Sequence, residues 1–204
     1  MRVILAGCAL AIACAGTAAA EPRNLSGFTR VDASAGTDVT VTVGRGFSVD
    51  VSGADADRIV TRLSGDTLVV ERRRGFSWGA ARRAQVTVTM PRVEGLSSSS
   101  GADLVVTGVD APHVALDSSS GADLRVSGRC GSFVADVSSG ADIHAQELRC
   151  ENGSVDASSG ADARVFASGR LNVDASSGGG VVAYGNPGIG NVDLSSGGSL
   201  RRAD

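Results

Sequence analysis

Ser138-Ser139-Gly140-Ala141-Asp142 is one of four identical pentapeptides in this 204-residue chain, the others being Ser99 to Asp103, Ser119 to Asp123 and Ser158 to Asp162. Two degenerate copies, Ser176-Ser177-Gly178-Gly179-Gly180 and Ser195-Ser196-Gly197-Gly198-Ser199, extend the series. The anchoring glycines are Gly101, Gly121, Gly140, Gly160, Gly178 and Gly197, so the steps between copies are 20, 19, 20, 18 and 19 residues. A period this short is one coil of a solenoid, too thin to bury its apolar side alone and stable only when stacked. From the second copy onward an aspartate stands four residues before each glycine, at Asp117, Asp136, Asp156, Asp174 and Asp193, so the register reaches beyond the pentapeptide.

Within a coil the residues alternate as a strand with one buried face should. In the third coil Ala135, Val137 and Ser139 are expected inside, with Asp136 and Ser138 outside; after the Gly140 turn, Ile143 and Ala145 return inside and His144 faces solvent. The equivalent inward positions are Leu116, Val155, Val173 and Val192, then Leu124, Val126 and Val181. No helical period is present. Glycine supplies the backbone angles of a tight corner, and Ser or Asp beside it can bond the turn's own backbone. Residues 96–204 are therefore predicted to form an all-β parallel β-solenoid with about 18–20 residues and two strands per coil.

The stretch before it is strand-like but less regular. Val39 to Val43, Phe47 to Val51, Thr67 to Glu71 and Ala84 to Met90 alternate, separated by turns such as Gly44-Arg45-Gly46 and Ser64-Gly65-Asp66, and Pro91 closes the last. Ala35-Gly36-Thr37-Asp38 reads as a diverged corner motif, so these strands are expected to begin the stack or cap it.

Composition agrees with thin layers. Aromatics are only 3%, there are 28 glycines, and all 19 basic residues are arginine. Arg2, the apolar run from Val3 to Ala13 and the small residues through Ala20 read as a signal peptide over 1–20, leaving 21–204 as a single domain: N-terminal strands over 21–95 and regular repeats over 96–204. Leu5-Ala6-Gly7-Cys8 has the form of a lipoprotein cleavage box, but almost no apolar region precedes it. No later segment approaches membrane-spanning length, so no membrane-spanning segment is expected after signal removal. Losing Arg2 takes the formal charge from −3 to −4, and so mild an acidity makes nucleic acid an unsuitable partner.

Two of the four cysteines leave with the signal. The remaining Cys130 and Cys150 each lie ten residues before a corner glycine, so they occupy equivalent sites on adjacent coils. Neighbouring strands are about 4.8 Å apart, inside the span a disulfide bridges, and export supplies an oxidising compartment. A Cys130–Cys150 disulfide is predicted.

The ordered motifs Phe28-Thr29-Arg30-Val31-Asp32, Gly36-Thr37-Asp38-Val39-Thr40-Val41, Gly65-Asp66-Thr67-Leu68-Val69-Val70 and Val86-Thr87-Val88-Thr89-Met90-Pro91, followed by the serine-glycine repeats, resemble the bacterial family called putative auto-transporter adhesin, head GIN domain. The resemblance covers about residues 25–200. It implies an exported parallel β-helix for which adhesion is proposed, and it carries over no catalytic residue. A chain ending at Asp204 without a translocating barrel is not expected to act as a self-sufficient autotransporter.

Four features invite chemistry. Gly75-Phe76-Ser77-Trp78-Gly79 has nucleophile-elbow spacing, but arginines flank it, no amphipathic helix follows, and the only histidines are His113 and His144. Arg72, Arg73, Arg74, Phe76, Trp78, Arg82 and Arg83 place arginine forks beside aromatic faces, able to hold phosphate, carboxylate or sulfated sugar; the plainer reading is a solvated hairpin loop whose arginines protect a strand edge. Asp103, Asp123, Asp142 and Asp162 should stack as a column in which calcium could bridge coils, or simply serve the turns, with affinity no better than millimolar expected. Asp117, Asp136, Asp156, Asp174 and Asp193 with their serines form a flat polar face suited to polysaccharide or to water alone.

The reading is an exported, non-enzymatic structural or binding module of the bacterial envelope, periplasmic or at the cell surface, with no cofactor or metal and with an envelope glycan or protein as partner. The alternative is a polysaccharide-processing enzyme on a β-helix, which needs a groove walled by long loops that these short coils do not provide. N-terminal sequencing of the exported protein should begin at Glu21; a chain beginning at a lipidated Cys8 would contradict this.

Overall fold

The computed structural model describes residues 20–73 and 84–203. Alternating sequence becomes strand throughout: β1 (Glu21–Pro22), β2 (Arg30–Ser34), β3 (Asp38–Val43), β4 (Ser48–Gly53) and, after a 3₁₀ turn at Ala56–Arg58, β5 (Ile59–Ser64) and β6 (Thr67–Arg72). β7 (Ala84–Met90) and β8 (Gly95–Ser99) lead into three long strands, β9 (Asp103–Ser119), β10 (Asp123–Val137) and β11 (Asp142–Ala157). The shorter β12 (Asp162–Ala167), β13 (Arg170–Ala175), β14 (Gly180–Tyr184), β15 (Gly188–Leu194) and β16 (Ser199–Arg202) follow.

These make a flattened β-solenoid with two faces. The first face runs β5, β6, β2, β8, then the second halves of β9, β10 and β11, then β13 and β15. The second runs β1, β4, β7, β3, the first halves of β9, β10 and β11, then β12, β14 and β16. From β8 onward every pairing is parallel, and it brings the corner aspartates and the inward positions beside them into register, with register shifts where β9–β10, β10–β11, β11–β12 and β13–β15 pass an irregularity.

The corner explains the pentapeptide. Ser139 and Gly140 both adopt left-handed backbone, with φ of 55° and 67°, and the Ala141 N–H donates back to the Ser138 carbonyl at 3.2 Å. Two successive positive φ values closed by that bond are the type I′ turn, which asks for glycine at one position and tolerates serine reluctantly at the other. The Gly140 N–H then donates to the Ser159 carbonyl of the next coil at 3.1 Å, so each corner is also stitched to its neighbour. This corrects one expectation. Ser139 does not point inside; it stands exposed, because the two left-handed residues interrupt the alternation, which resumes at the buried Ala141.

Ala141, Ile143 and Ala145 line the interior of the second face, and Phe133, Ala135 and Val137 that of the first. The Phe133 ring fills the space that a side chain on Gly153 of the next coil would need. Small residues inside let two sheets approach closely without bulky aromatics. Among the described residues Thr37, Ser98 and Ser118 are the buried polar exceptions, and their hydroxyls are satisfied: Thr37 Oγ1 donates to the Ser34 carbonyl at 3.1 Å, Ser98 and Ser118 bond each other at 3.0 Å, and Ser118 Oγ donates to the Ala122 carbonyl.

The N-terminal strands both join the stack and cap it. Ala35 and Gly36 repeat the left-handed corner, so β2 and β3 form a coil, and β6 and β7 add parallel strands outside it. Beyond these, β5 pairs antiparallel with β6, β4 with β7 and β1 with β4. β6 and β7 lie on different faces and do not pair with each other, so these two strands are not the hairpin pair of the plainer sequence reading.

At the opposite edge β9, β10 and β11 bend from face to face without leaving strand geometry. Here Ala111, Cys130, Cys150 and Ala167 stand in register, and a disulfide joins Cys130 to Cys150 with their Cα atoms 4.5 Å apart. Gly128 at this bend has φ 137°, and a Cβ there would collide with the Val109 backbone.

Two outcomes follow. Gly140→Ala, where φ is positive but the space is open, should cost about 1–2 kcal/mol by urea unfolding, whereas Gly128→Ala should cost clearly more because backbone must move. Paired Cys130→Ala and Cys150→Ala should lose about 3 kcal/mol, the value for closing a loop of this size, and the loss should match that of the reduced wild type.

Candidate functional site

The outward positions of each face form ladders, since every strand stacks on its equivalent. On the first face Asp117, Asp136, Asp156, Asp174 and Asp193 are mutually in register, and the column continues through Ser97 to Asp32. Ser97 Oγ donates to Asp117 Oδ1 at 3.2 Å. Beside the aspartates lie Asn172 and Asn191, with the Asn191 N–H donating to Asn172 Oδ1 at 2.9 Å. One rung lower, Asn152 Oδ1 accepts the Arg170 N–H at 3.0 Å. A shallow depression over Asp136, Asp156, Asp174 and Asp193 is open to solvent along this ladder.

Stacked carboxylates at strand spacing repel, and the structure registers it. Partial burial, then Asp156, then Asp117 raise the Asp136 carboxyl above the ordinary value of 3.8. Asp32 is raised as well, first by burial, then by Asp117 and Glu71, with Arg62 opposing.

The second face differs. Asp103, Asp123, Asp142 and Asp162 stack as predicted and Asp38 extends the column, but the next outward column carries Arg125, His144 and Arg164. Arg125 Nη2 lies 3.6 Å and His144 Nε2 3.7 Å from Asp123 Oδ1. Asp103 is raised by burial, then by Asp123 and Asp38, with Arg125 opposing. Sequence reasoning did not single out this basic column, although Asp-x-Arg, Asp-x-His and Asp-x-Arg at 123–125, 142–144 and 162–164 signal it.

Asp123, Asp142 and His144 offer ligand atoms within 4.8 Å of one another. The hydrogen bonding speaks against a metal centre there. Arg164 Nη1 sits 2.9 Å from His144 Nδ1, and a guanidinium only donates, so Nδ1 holds the lone pair and Nε2, which faces Asp123, holds the proton. A ligating histidine needs the reverse, its far nitrogen donating to an acceptor. His144 faces outward as expected but is half-buried, and burial, then Arg125 and Arg164, lower its pKa, with Asp142 and Asp123 opposing. The carboxylates that remain fall short of the six to eight oxygens calcium takes.

Of the arginine-aromatic cluster, Arg72 is held by Asp55 at 2.9 Å with both side chains largely buried, and the exposed Arg73 follows the end of β6. Arg74, Phe76, Trp78, Arg82 and Arg83 lie outside the described residues, as do Ser77 of the elbow motif and Cys8 of the leader. The strand β7 begins at Ala84, where an elbow would need a helix. His113 Nδ1 bonds Ser132 Oγ on the first face and His144 lies on the second, so neither approaches the other.

Residues 27–187 match the family model described as "Putative auto-transporter adhesin, head GIN domain", and the chain belongs to that family. Among solved structures it is similar to a putative adhesin from Bacteroides fragilis, at 13% identity and TM-score 0.71 over 91% of this chain and 96% of that one. It is also similar to a putative adhesin from Parabacteroides distasonis, at 12% identity and TM-score 0.59 over 93% and 98%. A putative lipid binding protein from the same species matches at 14% identity and TM-score 0.52 over 93% and 98%. At such identities the likeness is one of fold. No curated protein matches the chain.

The ladder on the first face generates a pH-dependent outcome. A carboxyl raised in the folded state binds its proton more tightly there, so its contribution to stability is complete below 3.8 and is lost as pH rises through the folded value. Asp136→Asn should therefore raise the urea midpoint at pH 7 and leave it unchanged at pH 3. A lower midpoint at pH 7 would mean that Asp136 has a favourable partner.

Proposed function

We propose that this head GIN domain is a non-enzymatic binding module of the bacterial envelope, exported to the periplasm or cell surface, that presents its first face to a glycan or protein. The observation that carries the proposal is the uninterrupted ladder of Asp117, Asp136, Asp156, Asp174 and Asp193, flanked by serine and asparagine and repeated at one strand spacing. Hydroxyls, amides and carboxylates at a fixed period match a polymer with a repeat of its own, and many weak contacts along it add through multivalency. Residues 72–83, with Arg72, Arg73, Arg74, Phe76, Trp78, Arg82 and Arg83, are a second proposed contact.

The family description and the adhesin names of similar structures support binding over catalysis. The geometry of the coils supports it too. A polysaccharide-processing enzyme needs a walled groove holding paired acid and base groups. Here the coils from β8 onward are joined by short corners, and the aspartate ladder lies on a flat sheet.

Purified protein incubated with a panel of envelope glycans and envelope proteins, scored for both binding and cleavage, tests the proposal. Binding without product release, weakened at least tenfold in the combined Asp136→Asn, Asp156→Asn and Asp174→Asn variant, is expected. Released oligosaccharide would restore the enzyme alternative, and retention of full affinity by that variant would move the site off the first face.

A further inference from the structure

One side chain of the first face stands apart from its ladder. Arg30 opens β2 at an outward position, in register with Gly95 of β8, which in turn pairs with Ala115 of β9. A Cβ added to Gly95 would lie 2.6 Å from Arg30 Cζ, 2.6 Å from Nη2 and 2.9 Å from Nε. Three nearly equal distances place the guanidinium face-on over the glycine, and Gly95 is buried although its position is an outward one. The Gly95 backbone is not left-handed, so the glycine serves the space above it rather than a turn.

The arginine has acidic neighbours and does not engage them. Among the described residues no carboxylate pairs with its guanidinium and no acceptor takes a side-chain hydrogen bond from it. Asp32, two residues along, is raised by burial, then by Asp117 and Glu71, and the cation that opposes is Arg62. Arg30, Asp32, Thr67, Ser97, Asp117 and Asp136 instead line one depression, where Gly95 and Ala115 are too small to fill the floor. A flat fork of N–H donors therefore faces the same open space as a row of carboxylate acceptors.

We propose that this depression takes the carboxylate of an acidic sugar, and that the first face selects a saccharide carrying one such residue followed by neutral ones. The inference rests on the reading of that face as a binding surface and names the chemistry it prefers. Guanidinium and carboxylate meet bidentately, fork to fork. With the acid group held by Arg30, ring hydroxyls are left to donate to Asp32 and Asp117, and hydrogen bonds to an ionised acceptor are the stronger kind. Neutral residues beyond supply further hydroxyl donors toward Asp136. Charge limits the ligand to one acid group here. A second, further along, would meet Asp136 and Asp156, whose mutual repulsion is already felt and has no cation opposing it. A phosphate, with up to about twice the charge of a carboxylate, is disfavoured on the same ground.

Isothermal titration calorimetry of the full chain with matched oligosaccharides tests this. The probes are a chain with a single terminal uronic acid, its counterpart with that carboxyl reduced to the alcohol, one ending in a sugar phosphate, and one with a uronic acid at every position. The first should bind, and each of the others about tenfold or more weakly than it, as for the loss of one charge-assisted contact. Arg30→Ala should erase the preference for the first chain over the second. Gly95→Ala keeps the guanidinium but displaces it, so it should erase the preference too, without lowering the urea midpoint, because only the end of a flexible side chain must move. Equal binding of the first two chains by the wild type, a preference that survives both variants, or tightest binding of the phosphate or of the fully acidic chain would each overturn the inference. Wild type that binds none of the four overturns it as well. The broader reading of the face is scored separately, by whether the combined Asp136→Asn, Asp156→Asn and Asp174→Asn variant weakens the neutral chain.

Discussion

In-register parallel stacking governs this molecule: each residue meets its own equivalent about 4.8 Å away in the next coil. The corner enforces it. A type I′ turn closed by Ala141 N–H to Ser138 C=O, with Gly140 N–H reaching the next coil, leaves no slack for a strand to slip against its neighbour. A slip of one residue would also send every inward alanine and valine to the outside. Whatever the sequence places at one outward site is therefore multiplied into a column, and the chemistry of the surface is that of columns rather than single residues.

The two faces show what the chain does with that multiplication. On the second face the aspartate column is balanced by Arg125, His144 and Arg164 one position along, and the charges meet in a network centred on Asp123. On the first face the ladder of Asp117, Asp136 and Asp156 has no such counterpart among the causes that shift Asp136, all of which raise it. Water and salt screen exposed like charges enough for the stack to survive. A column of carboxylates without cationic neighbours of this kind leaves its charge turned to solvent, and this asymmetry is why the first face carries the functional proposal.

Stacking also makes ends unavoidable, and the molecule treats them unequally. The N-terminal strands β4 and β5 reverse direction against their neighbours, while Val192 and Leu194 on β15 stand exposed at inward positions. Between the ends, the disulfide ties the coils that hold Phe133 and Gly153, where the Phe133 ring lies against the glycine.

Much of this was legible in the chain itself, because a repeat converts local pattern into three-dimensional register. The spacing of the Ser-Gly corners determined the solenoid, the alternation determined the inward positions from Leu116 to Val181, and the equal distance of Cys130 and Cys150 from their corner glycines determined the disulfide. The exceptions have physical causes. Ser139 was misplaced since alternation cannot reveal that two consecutive residues turn left-handed; Val192 was taken as buried since periodicity knows nothing of where a stack ends. Tertiary structure alone decided that β6 and β7 lie on opposite faces and that Arg72 is engaged by Asp55. Those facts depend on contacts between segments far apart in the chain, which no repeat relates to one another.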